Sequence, residues 1–126
     1  MMKSKNIIHH DENNLDTTKF VQIFIEKKPY LIIGKEGEHH KNILERTLKD
    51  FNLEFNFVGG YFEKEVPNLK GIKYEAVGMG MVYIEKNKMY IFQNSKSHEY
   101  DICPNKEHIE KINKLLPQGE EIILQE

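Results

Sequence analysis

GEHHKNILERTLKDF, residues 37–51, is the stretch that decides the fold. Ile43, Leu44, Thr47, Leu48 and Phe51 recur at helical spacing on one face, so the reading is an amphipathic helix over 36–50. His40 lies one turn before Ile43 and Leu44 and shares their inward edge. Asn52 suits a left-handed cap that ends the helix.

Upstream, KFVQIFIE (19–26) carries apolar residues in both alternating sets, as expected of a central strand buried on two faces. KKP, with Pro29 at the turn, leads into YLII (30–33), and Gly34 closes that strand. Downstream, LEFNFV (53–58) alternates strictly, as a strand with one core face does. After Gly59–Gly60 and an irregular excursion, strands are expected at 72–77 and 79–84, divided by Gly78. A hairpin turn at Asn87–Lys88 leads into MYIFQN (89–94). Asn105 caps a second helix over 106–116, which Pro117 and Gly119 stop, and EIIL (121–124) is a last strand. Residues 1–17 read as a flexible polar arm with one short strand at most, and 18–126 as a single α+β domain: a mixed β-sheet flanked by two α-helices.

Bulk composition narrows the function classes. The net charge is −2, with lysines and glutamates interspersed, so no basic block marks a nucleic-acid or polybasic membrane partner. No apolar run approaches the ~20 residues that span a bilayer. A single cysteine, Cys103, and an N-terminus without a signal-peptide core point to the cytoplasm. Arg46 is the only arginine, so any phosphate site must lean on lysine point charges or backbone donors.

His40 is the leading candidate for chemistry. Imidazole titrates near about 6.5 and serves as base, acid or nucleophile. A helix start keeps the ring neutral and attracts anions through its N–H groups. The competing role is structural, a ring that closes the edge of the core. Metal binding is not expected at His39–His40, since adjacent helical residues point about 100° apart and no HExxH motif exists. His9–His10 reads as solvated on the arm. Ser95 and Ser97 read as solvent-contacting loop residues, and Cys103 as a small buried hydrophobe. Glycines 59, 60, 78 and 80 allow close backbone approach to a phosphate or mark crowded strand ends. They form neither a P-loop nor a dinucleotide fingerprint.

In their order, KFVQIFIE, EHHKNILE, VGGYF, VGMGMVY and the closing EHIEKINKLLPQGEEIIL resemble the janus/ocnus family, the phosphohistidine phosphatases. The resemblance covers nearly the whole chain and rests on pattern more than identity. It implies their fold, no cofactor, and a phosphorylated small molecule or phosphoprotein as partner. It implies His40 as general base or nucleophile at a phosphoryl group. Gly59 and Gly60 would belong to the glycine cluster, and Met79, Gly80, Met81 and Val82 to the phosphate-holding loop. This chain departs from the pattern at four places. Gly80 stands where the family has a serine, and the family's basic positions fall on Val21, Ile33 and Phe62. Lys19, Lys35 and Lys64 are the nearby cations. Two other readings remain open at this point. One is a noncatalytic binding module lined by Val21, Ile33, Phe62 and Met79. The other is self-association through an exposed MYIFQN strand.

Overall fold

The computed structural model describes residues 5–10, 17–35, 37–58, 66–69, 71–97 and 100–125. Its elements run β1 (Ile7–His9), β2 (Thr18–Ile25), β3 (Lys28–Ile33), α1 (His40–Asp50), β4 (Phe55–Val58), β5 (Val66–Leu69), β6 (Tyr74–Glu85), β7 (Lys88–Phe92), α2 (Lys106–Asn113) and β8 (Glu121–Gln125). A mixed six-stranded sheet has the order β1-β3-β2-β6-β7-β8, and β4 and β5 form a separate ribbon. The outer strands β1 and β8 join in parallel, while β3, β2, β6 and β7 pair antiparallel in turn. The expected α+β class is the observed one.

The sheet buries both faces, which is why β2 is apolar in both of its alternating sets. On one face Phe20, Leu31, Ile33, Val82, Met89 and Ile91 pack against Ile109 and Ile112 of α2 and Ile122 of β8. On the other, Val21, Ile23, Ile32 and Met79 meet Ile43 and Leu44 of α1. The sheet curls so that α2 contacts both β3 and β8. A fully buried aliphatic side chain stabilises by roughly 1.5–3 kcal/mol. The consequence is that both helices are fixed against the sheet by packing rather than by helix propensity.

Several local expectations change. Helix α1 begins at His40, not at 36. Its end is as read: Asn52 has φ 57°, and Leu53 N–H returns to Leu48 O at 3.0 Å. The first hairpin turns at Glu26 and Lys27, both at positive φ, and Pro29 lies inside β3 opposite Phe24. Proline is tolerated there because β1 pairs only with Leu31–Ile33, so no partner strand needs its missing donor on that side. Likewise, the second turn is Lys86–Asn87, with Lys88 already in β7. Strand β4 begins at Phe55 rather than 53, and α2 ends its α-helical run at Asn113 rather than 116. The MYIFQN segment is not an open edge, since β7 is paired with β6 on one side and β8 on the other. That removes the self-association reading built on it.

Gly78 does not divide two strands, because β6 runs through it without a break. Its lack of a side chain makes room for Gln22. The Gln22 amide donates to Asn105 O at 3.0 Å, and its oxygen accepts from Asn105 N–H at 2.7 Å. A Cβ on Gly78 would collide with Gln22 Oε1 and come within 2.8 Å of Asn105 N. At its other end, Asn113 makes the same kind of two-bond ladder with the backbone of Ile122, at 3.0 and 2.8 Å. Side-chain amides thus pin α2 to the sheet at both ends, satisfying backbone groups that no strand reaches.

Candidate functional site

Strand β7 is much shorter than β6, and this difference creates the site. The two pair only from Val82–Ile91 to Glu85–Lys88. Beyond Ile91 the chain stays with β8 through Phe92 but no longer pairs with β6, so the backbone of β6 on that side needs other partners. Met81 N–H donates to Ser95 Oγ at 2.9 Å, and Met79 N–H to Cys103 O at 3.3 Å. The Ser95 hydroxyl in turn donates a hydrogen bond to Phe92 O. Between this departing loop and the start of α1 lies a cleft of about 600 Å³, lined by Lys19, His39, His40, Met81, Asn94, Ser95 and Lys96.

His40, the first residue of α1, is 5% exposed, and its Nε2 lies 3.2 Å from Gly80 O. A carbonyl only accepts, which assigns the proton to Nε2 and the lone pair of the neutral ring to Nδ1. The expected helix-start histidine is therefore on the cleft and oriented by the backbone of β6. His39 is the N-cap, and α1 carries no side-chain cap and no acidic residue in its first turn. Such a start leaves the first-turn N–H groups without a side-chain cap or a first-turn carboxylate. Lys19 pairs in register with Met81 across the β2–β6 ladder and adds a cation at the cleft. Lys96 adds another, held by an ion pair with Asp101 that raises its pKa through a side-chain hydrogen bond.

The other expected ligand residues divide. Gly80 is buried, and its bare Cα faces Ser95: a Cβ there would collide with Ser95 Oγ. Met81 reaches the cleft, but its N–H is taken by Ser95. The side chains of Met79 and Val82 are fully buried in the two cores. Gly59 and Gly60, like Phe62 and Lys64, lie outside the described residues. Val21 and Ile33 belong to the packed core, so they line no pocket. The cation that a search at Val21 misses is Lys19, two residues earlier on the same strand. Lys35 is exposed and does not line the cleft.

Ser95, Asn94 and Lys96 escape the sequence reading, which put Asn94 at the end of a strand and gave the loop from Ser95 to solvent. Ser95 is instead half-buried, and Ser97 is 1% exposed, bridged to Ile102. The available signal is the unequal length of the apolar runs on β6 and β7, which leaves β6 amides to be filled by something. Cys103 is exposed rather than buried. His10 is not solvated: its side chain is only 6% exposed, beside Glu38 and Asp50. No group of three or more His, Cys, Asp or Glu able to hold a metal occurs among the described residues. Nor is any described helix long and apolar enough to cross a membrane.

Compared with known proteins, the chain matches no protein-family model and no curated protein.

Proposed function

We propose that this chain binds a phosphorylated ligand in the His40 cleft and hydrolyses it with His40 as the reacting group. One observation carries the reading. The Gly80–Met81 peptide holds an imidazole on its carbonyl side and a hydroxyl on its amide side, at the mouth of an uncapped helix. The resemblance to phosphohistidine phosphatases puts a serine at position 80. Here a hydroxyl comes from Ser95 into the space that the glycine leaves.

In this reading the Gly80 carbonyl fixes the ring with its lone pair on Nδ1. The ring either takes a proton from the water that attacks phosphorus as the leaving group departs, or attacks phosphorus itself, displacing the leaving group to form a phospho-imidazole that water then cleaves to phosphate and free histidine. The start of α1, Lys19 and Lys96 face the charge on the phosphoryl oxygens. A phosphoryl transition state is stabilised mainly by such positioned donors and cations. Loss of a general base costs typically ~10²–10⁴ in rate.

A second reading, a noncatalytic binding module on the same scaffold, is favoured by one feature. Ser95 spends its proton on Phe92 O and Lys96 is paired with Asp101, so two donors are already engaged. The test is hydrolysis of phosphohistidine and para-nitrophenyl phosphate by the native chain and His40→Ala. Turnover that disappears in His40→Ala supports hydrolysis. Equal background in both excludes it. Phosphate-induced NMR shifts at His39, His40 and Ser95, lost in Lys19→Ala, would then identify a binding module.

A further inference from the structure

A group of titratable side chains outside the cleft surrounds His10, immediately after β1. Its Nδ1 is 3.9 Å from Glu38 Oε1, in the approach to α1, and its Nε2 is 3.7 Å from Asp50 Oδ2, in the last turn of α1. Both separations exceed hydrogen-bond length, and neither ring nitrogen has a hydrogen-bond partner among the described residues. The side chains of His10 and Glu38 are each 6% exposed. Glu38 is already committed: Oε2 pairs with Arg46 of α1, and Oε1 accepts from Lys35 N–H at 2.8 Å. Asp50, at 62% exposed, is mostly in water.

We propose that His10 is a pH-operated release for β1: the neutral ring packs dry against α1, and the imidazolium drives β1 off β3. The described charges that face the ring are two carboxylates, Glu38 and Asp50, and two cations, Arg46 and Lys35. They balance, so a proton on His10 adds a net charge at a ring whose side chain is only 6% exposed. Burial pushes the imidazole below its ordinary value, and the Arg46 guanidinium and Lys35 push the same way against Glu38 and Asp50. Acid therefore favours any state in which the ring is hydrated.

The element that yields is β1. It is three residues long and stands at the sheet edge. Besides its short parallel ladder with Leu31–Ile33 of β3, it is anchored by Leu31 N–H to Asn6 O at 2.8 Å, His10 N–H to Ile33 O at 3.0 Å and the Asn6 amide to Pro29 O at 3.0 Å. By contrast, α1 is held by Ile43, Leu44 and Leu48, all buried. Release lifts Ile7 and Ile8 from the two cores they pack against and frees the outer edge of β3. Glu38, which faces the ring, stands two residues before His40, so the device adjoins the cleft.

Amide hydrogen exchange on the full chain tests this between pH 7.5 and pH 5, a range that brackets the ordinary imidazole value of about 6.5. Leu31 N–H reports β1 docking, and Gly34 N–H, bonded to Lys19 O across to β2, is the internal reference. The expected result is a fall in Leu31 protection relative to Gly34 as pH drops, because the protonated ring favours the hydrated, undocked state. In His10→Leu that relative fall disappears. If His10→Leu does not fold, Arg46→Gln replaces it and shrinks the fall by removing the opposing cation. No relative fall in the native chain, or an undiminished one in the folded variant, overturns the proposal.

Discussion

The starts of the two helices solve the same problem in opposite ways. Each sets a histidine against the sheet and hydrogen-bonds its Nε2 to a strand carbonyl: His40 to Gly80 O at 3.2 Å, His108 to Ile23 O at 3.0 Å. Helix α2 is finished. Asn105 caps it through His108 N–H, Glu107 stands in its first turn, and His108 Nδ1 is met by the Gln22 amide at 3.3 Å. Helix α1 has neither a side-chain cap bond nor an acid in its first turn, and its histidine opens on a cleft with two lysines. The same residue type is a structural plug where every polar group is answered. It is a candidate reagent where the helix end faces solvent and cations.

Exchanging the variants should break the comparison most clearly. His40→Ala is expected to lower phosphohydrolase turnover by about 100-fold or more. His108→Ala should leave turnover per folded molecule near the native level. It should instead cost about 2–4 kcal/mol in urea denaturation, because the Gln22 amide and Ile23 carbonyl lose a buried partner. If His108→Ala abolishes turnover without loss of stability, the assignment of roles is reversed.

Gly78→Ala attacks the pin on α2. Its Cβ has no room beside Gln22 and the backbone of Asn105, and the expected cost is about 3 kcal/mol from overpacking plus a broken amide ladder. A denaturation midpoint unchanged from the native chain would show that α2 docks without this ladder.

Acid should weaken α2 through His108, whose pKa burial lowers to about 4. The unfolded chain takes up the proton first, near about 6.5. Stability is therefore fully present above pH 6.5 and is lost as pH falls toward 4, by no more than about 3 kcal/mol. Replacing His108 with leucine should flatten urea midpoints across that window. A slope that persists would assign the acid sensitivity to another group.

The smallest effects concern the caps. Asn105→Ala should destabilise by about 1 kcal/mol. His39→Asp, which gives α1 the cap it lacks, should stabilise by a similar amount while weakening phosphate binding, since the new carboxylate occupies the helix start. Binding that survives His39→Asp would separate the anion site from the end of α1.

The parts legible in the sequence are those set by local periodicity. The doubly apolar run around Val21, the stripe from Ile43 to Leu48, and Asn52 and Asn105 at helix ends all carry their signal within a few residues. What escapes depends on residues far apart in sequence. Gly78 looks like a strand break until Gln22 is seen reaching Asn105 across its surface. His10 looks solvated because nothing near it in sequence shows that Glu38, Arg46 and Asp50 surround it. The same holds for the site. His40 was legible from its place at a helix start. Lys19 and Ser95 were not, because strand register and the early end of β7 bring them there.

The Gly80–Ser95 contact ties two distant codons into one genetic unit. A serine at 80 in the present background has nowhere to put its hydroxyl, and a glycine at 95 alone leaves the Met81 amide without its acceptor. Made together, the two exchanges remove the collision with Ser95 Oγ, but Pro104 and Phe20 still crowd position 80 and the Met81 amide still lacks its acceptor. A change at either position is therefore felt at the other.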